Sequence, residues 1–153
     1  MSHMLESCQA LPQVSYKTGD EVLHEGQSTG HLYILIEGKV EICKGDVQVS
    51  RVSEPGSIFG EMSILLHQPH MATVKCLTDC KFLEAENARQ FLDAHPEVTI
   101  IVAETLARRL NNLTRYLVDL KHQFEDQKDH MSMVDEVLES LLHHQGKSKK
   151  KSG

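Results

Sequence analysis

The sequence predicts a mainly β domain with helices: a jelly-roll barrel flanked by helices, followed by a long, coiled-coil-like C-terminal helix. Three observations carry this. Period-two alternation of apolar residues, punctuated by glycine, fills the first half. From Asn87 onward the period turns helical, and through the second half leucines recur in a four-three spacing. The 153 residues have room for one domain and an appendage.

In the first half, Leu32, Ile34 and Ile36 alternate with Tyr33 and Leu35, and Glu37-Gly38 reads as the two-residue turn of a hairpin into Val40 and Ile42. Gly45-Asp46 turns the chain into Val47, Val49 and Val52, and Pro55-Gly56 marks a corner before Ile58-Phe59. Strands at this spacing close into a barrel or jelly roll. Glu61 to Leu66 reads as a short helix ended by Pro69. Ala72, Val74 and Cys76 alternate as a strand, and Phe82-Leu83 completes the β part. A short helix from Ala88 to Ala94 follows, and Pro96 stands at the favoured first position of the next.

The seam of the second half runs through Leu106, Leu110, Leu113, Leu117, Leu120, Phe124, Gln127, Met131, Val134, Leu138 and Leu141. At about 1.5 Å per residue, a helix of this length outruns the surface of a small barrel. The apolar positions from Leu110 to Leu141 are therefore expected to meet a partner helix, most simply in a homodimer, with a further protein partner as a second use of the same face. Few complementary charges flank the seam, and Val137 and Leu142 widen its apolar face, so a bundle or a fold-back is the alternative. Ser132 with Asp135 would cap a second helix starting after Asp129-His130. The expected division is a lead-in at 1–12, the barrel domain at 13–110, the heptad helix at 111–145 and a basic tail at 146–153. The opening Met-Ser-His-Met reads as a cloning remnant.

Composition narrows the function. Hydrophobic residues at 40% and charged residues at 25% are ordinary globular usage. The absence of Trp and an aromatic share of 5% argue against a base-stacking surface. The net charge of -6 includes Lys147, Lys149, Lys150 and Lys151 in the tail, so the preceding body is more acidic still and poorly suited to nucleic acid. Apolar runs are too short to span a membrane and no leader pattern is present, so a soluble cytoplasmic protein is expected. Cys8, Cys43, Cys76 and Cys80 read as reduced packing residues. His67 with His70, and His143-His144, lack the partners and spacing of a metal site, and no nucleophile elbow or Walker loop is present. Neither metal binding nor catalysis is expected.

The chemistry concentrates at Phe59-Gly60-Glu61-Met62-Ser63 through Pro69-His70-Met71-Ala72-Thr73. Gly60 would let backbone approach a ligand and open a short helix whose N–H groups suit an anion. This stretch resembles the phosphate-binding cassette of cyclic-nucleotide-binding domains, as found in bacterial catabolite activator proteins, cyclic-AMP-dependent kinase regulatory subunits and cyclic-nucleotide-gated channels. The resemblance extends from about Tyr16 to Leu110, through Gly19, Glu25-Gly26, Glu37-Gly38, Pro55-Gly56, His95-Pro96-Glu97 and Ala107-Arg108-Arg109-Leu110.

It implies a double-stranded β-helix jelly roll. It also implies that Glu61 accepts from the ribose 2′-hydroxyl and that backbone matching Met62, Ser63, Met71 and Ala72 lines the phosphate. His70 stands where nucleotide-binding members carry arginine, whose charged fork pairs with phosphate oxygens. A histidine with an ordinary pKa of about 6.5 is mostly neutral at pH 7 and offers one donor per nitrogen. Three outcomes fit that departure: a weak or pH-gated site, a different ligand, or a pocket kept as a scaffold. Arg51 or Lys75 are candidates to supply the missing charge. Met71, where cyclic-GMP-preferring members often carry threonine, makes cyclic AMP the expected ligand over cyclic GMP. Thr114, with Asn111 and Asn112, falls where activator proteins contact the purine. The expected function is a non-enzymatic cyclic-nucleotide sensor acting through its C-terminal helix, against a rival reading as a nucleotide-free dimerisation scaffold.

Overall fold

The computed structural model describes residues 3–124 and 128–143, the side chains of 128–131 and 142–143 excepted. In chain order the elements are α1 (His3–Ser7), β1 (Gln13–Tyr16), β2 (Glu21–Leu23), β3 (Leu32–Glu37), β4 (Val40–Lys44), β5 (Val47–Val52) and β6 (Ile58–Phe59). They continue with α2 (Glu61–Leu66), β7 (Thr73–Cys76), β8 (Cys80–Ala85), α3 (Ala88–Ala94), α4 (Pro96–Gln123) and α5 (Lys128–His143). The chain forms two compact units, Met1–Ala103 and Glu104–Gly153, divided within α4.

The first unit contains two four-stranded sheets, ordered β1-β8-β3-β6 and β2-β7-β4-β5, with every pairing antiparallel. This is the expected jelly-roll architecture. Its core is Val22, Leu23, Tyr33, Leu35, Val40, Phe59, Val74, Cys76, Cys80 and Phe82. Tyr16, Tyr33 and Phe59 each meet Phe82 edge to face, at centroid distances of 5.7, 5.8 and 6.2 Å, the geometry that aromatic quadrupoles favour. The lead-in contributes as well, since Met4 and Cys8 are buried.

One expected hairpin is not formed. β3 pairs with β8 and β6, whereas β4 pairs with β5 and β7, so Glu37-Gly38 carries the chain from one sheet to the other instead of turning it back. Gly38, at φ 114, makes the crossing tight: a Cβ there would lie 2.7 Å from the Asp79 carbonyl oxygen. The hairpin at Gly45-Asp46 does form, with Lys44 opposite Val47. The helices fall where the sequence places them. Asn87 caps α3 by accepting the Gln90 N–H at 3.2 Å, and Pro96 is the first residue of α4. Val98 and Val102, in the first turns of α4, are buried.

In the second unit the seam is not one continuous helix. Helix α4 stops at Gln123 and α5 begins at Lys128, four residues before the expected cap at Ser132. Lys121 and Asp135 form an ion pair. In an unbroken helix, 14 residues separate side chains by about 21 Å, so this contact requires the chain to reverse, and the fold-back alternative is the one adopted. Val134 is buried, and Leu117, Leu120, Phe124, Leu138 and Leu141 are half-buried. Leu110 and Leu113 remain 44% and 46% exposed. The Met131 side chain lies outside those described.

Candidate functional site

The cassette is built on α2. Gly60 is its N-cap at φ 95 and brings no side chain to cap the helix. A Cβ on Gly60 would lie 2.5 Å from the His31 carbonyl oxygen, so glycine is needed here for close approach to the chain entering β3. The close contact of Gly60 is thus with the protein's own backbone. Glu61, in the first turn, is 4% exposed. Met62 is exposed. The Ser63 hydroxyl donates to the Gln68 carbonyl at 2.6 Å, while the Ser63 carbonyl accepts the Gln68 N–H at 3.1 Å. His67, left-handed at φ 54, ends the helix by donating its N–H to the same carbonyl. Met71 and Ala72 are half-buried and lead into β7.

His70 is 4% exposed and anchored on three sides. Its backbone N–H donates to the Gln27 carbonyl and its carbonyl accepts from the Gly26 N–H, both at 2.9 Å, stitching the cassette to the loop between β2 and β3. Its ring Nε2 lies 2.8 Å from Thr29 Oγ1, which also accepts the His31 N–H at 3.2 Å. Burial lowers the His70 pKa below the ordinary histidine value, and the nearby His31 ring lowers it further. His70 is therefore neutral at pH 7.

The chain of polar contacts continues inward. His31 Nδ1 meets the Tyr33 hydroxyl at 3.2 Å, and the Tyr16 hydroxyl donates to Tyr33 at 3.1 Å. Glu84 stands opposite Tyr33 across the strands. Burial, with hydrogen bonds to Tyr16 and Glu84, raises the Tyr33 pKa far above that of a free phenol.

Neither candidate for the missing charge turns toward the barrel interior. Lys75 sits between buried Val74 and buried Cys76 and so points to the outer face of its sheet. Glu41 pairs with both Lys75 and Arg51, which places Arg51 on that outer face too. A cation that does reach the cassette is Lys44, whose Nζ donates to the Met71 carbonyl at 3.0 Å. Thr29 and Lys44 were missed in the sequence because nothing local marks them: they lie 41 and 27 residues from their partners. Thr114 is on α4 in the second unit, its hydroxyl donating to the Leu110 carbonyl at 2.9 Å. No cluster of metal-binding side chains occurs among the described residues.

A family model described as the cyclic nucleotide-binding domain matches residues 13–95. A CRP-like cAMP-activated global transcriptional regulator of Mycobacterium tuberculosis is 29% identical over 116 residues, 72% of this chain and 52% of its own. A cAMP-dependent protein kinase regulatory subunit of Debaryomyces hansenii is 27% identical over 149 residues, 95% of this chain and 30% of its own. The chain thus spans about half of the first relative and less of the second. The crystal structure of the Thermus thermophilus catabolite activator protein superposes with a TM-score of 0.64 at 22% identity, covering 79% of this chain and 60% of that one, a likeness of fold.

Proposed function

The chain belongs to the cyclic nucleotide-binding domain family, and from that premise we propose that it is a non-enzymatic cytoplasmic sensor of cyclic AMP. The observation that carries the reading is the pairing of two buried polar side chains, Glu61 and His70, at the two ends of the cassette inside the matched region. Glu61 accepts from the ribose 2′-hydroxyl. Backbone of Met62, Ser63, Met71 and Ala72 lines the cyclic phosphate, and His70 donates to it. Lys44 adds positive charge beside Met71. Met71 in place of a threonine favours cyclic AMP over cyclic GMP.

Signalling requires the ligand to favour one arrangement of the helices over another. The output is the geometry of a homodimer, or the docking of a protein partner, on the exposed Leu110 and Leu113 of α4. Two of its relatives carry the names of a transcriptional regulator and a kinase regulatory subunit, which supports a regulatory over a catalytic role. Direct binding to nucleic acid or membrane is not part of the reading.

The rival reading, a nucleotide-free scaffold, draws on one observation: His70 is neutral and hydrogen-bonded within the protein where a permanent cation would hold phosphate. Equilibrium dialysis with labelled cyclic AMP separates the two. On the sensor reading Glu61→Gln weakens binding about tenfold and His70→Arg strengthens it by a similar factor, the scale of one charge-assisted hydrogen bond. Equal retention by all three proteins would remove the cassette from the account.

A further inference from the structure

The Thr29 hydroxyl touches His70 from a loop that the cassette motif does not include. Its oxygen already accepts the His31 N–H at 3.2 Å, and 2.8 Å away lies His70 Nε2. A hydroxyl has one proton and two lone pairs, so with one lone pair taken by the His31 N–H it can either donate to His70 Nε2 or accept from Nε2–H. Where Thr29 donates, Nε2 carries no proton and the neutral imidazole holds its hydrogen on Nδ1.

We propose that Thr29 donates to Nε2 and is thereby a positioning residue for His70, fixing its neutral tautomer so that Nδ1–H is the donor this side chain offers to an anionic ligand. This rests on the cyclic-nucleotide reading for the identity of the ligand, though not for the assignment of the proton. It also defines the ligand class. With the buried carboxylate of Glu61 in the same cassette, a neutral His70 donor suits the singly charged phosphodiester of a cyclic nucleotide better than a doubly charged 5′-monophosphate.

When a bound phosphate draws a proton onto the ring, Thr29 rotates its own hydrogen away and accepts from Nε2–H, so the same hydroxyl serves both charge states. His31 is the titratable group that faces His70 in this exchange, and its like charge opposes protonation. Affinity for a cyclic phosphate therefore rises as pH falls from 8 toward 6.

The test has two arms, both on the full chain. Long-range nitrogen–proton NMR at pH 8, without nucleotide, is expected to show His70 protonated on Nδ1 in the wild type and in Thr29→Ser. In Thr29→Val the proton moves to Nε2. A wild-type ring protonated on Nε2, or an unchanged ring in Thr29→Val, overturns the proposal. In calorimetry at pH 8, Thr29→Val is expected to lose about tenfold in cyclic AMP affinity while Thr29→Ser retains it, the cost of one directed hydrogen bond to an anion. Equal affinity in Thr29→Val overturns the donor role, since general loosening of the loop would not be rescued by serine alone. The predicted NMR pattern in a chain that takes up no nucleotide sustains the tautomer and overturns the functional reading on which the ligand rests.

Discussion

Replacing Gly60 by alanine tests whether the cassette is held by close backbone packing. Two costs add. A non-glycine residue at φ 95 pays the steric penalty of left-handed backbone, about 1–2 kcal/mol. The new Cβ would also stand 2.5 Å from the His31 carbonyl oxygen and 3.5 Å from Leu23 Cδ1, and the first of these is backbone with no rotamer to change. Forcing extra volume into such a contact costs roughly 1–3 kcal/mol. Together the loss is on the order of 3 kcal/mol, a fall of roughly 10–20 °C in Tm for a domain of this size. Gly45→Ala is the control. It also places a methyl on left-handed backbone, at φ 57, but meets nothing within 4 Å, so it should cost only about 1 kcal/mol. Urea denaturation followed by circular dichroism measures both. If Gly60→Ala proves no worse than Gly45→Ala, the contact with His31 does not hold the cassette.

Because burial keeps the folded His70 pKa below that of the unfolded chain, the unfolded chain takes the proton first as pH falls. His70 therefore contributes fully to stability above about pH 6.5 and loses that contribution progressively below it; denaturation midpoints across this range should fall more steeply in the wild type than in His70→Gln. Burial raises the Cys8 thiol to about 11 and the Cys76 thiol to about 12, the latter aided by its hydrogen bond with Cys80. Cys43 is half-buried and raised first by its hydrogen bond to Glu41. A disulfide reagent at pH 8 should label Cys43 slowly in the folded chain, and Cys8, Cys76 and Cys80 only on unfolding. Changing Leu110 and Leu113 together to glutamate alters exposed positions, so helix content should hold; on the proposed homodimer, sedimentation gives a dimer mass for the wild type and a monomer mass for the variant. An unchanged dimer mass would move the interface elsewhere.

The elements whose signals are local were legible in the sequence. Helices α2 and α3 and the start of α4 announce themselves by Gly60, Asn87 and Pro96, and the β4–β5 hairpin by Gly45-Asp46. Glu37-Gly38 offers the same local pattern as a hairpin turn, yet its flanking strands find partners in opposite sheets. That choice is made by β8 and β7, more than 30 residues away, and by the fit of Gly38 against Asp79. The leucine seam fits two helices folded back as well as it fits one long helix, since both bury the same spacing. At the site, the motif located Glu61 and His70, but Thr29, whose hydroxyl meets the His70 ring, is joined to it only by tertiary structure.

The most direct test of the central claim is titration calorimetry of the purified chain with cyclic AMP, cyclic GMP and 5′-AMP at pH 6 and pH 8. Saturable binding of cyclic AMP, tighter at pH 6 and absent for 5′-AMP, is the predicted result. Folded protein that gives no binding heat with either cyclic nucleotide at either pH would contradict the sensor reading and leave the barrel as a scaffold for its C-terminal helices.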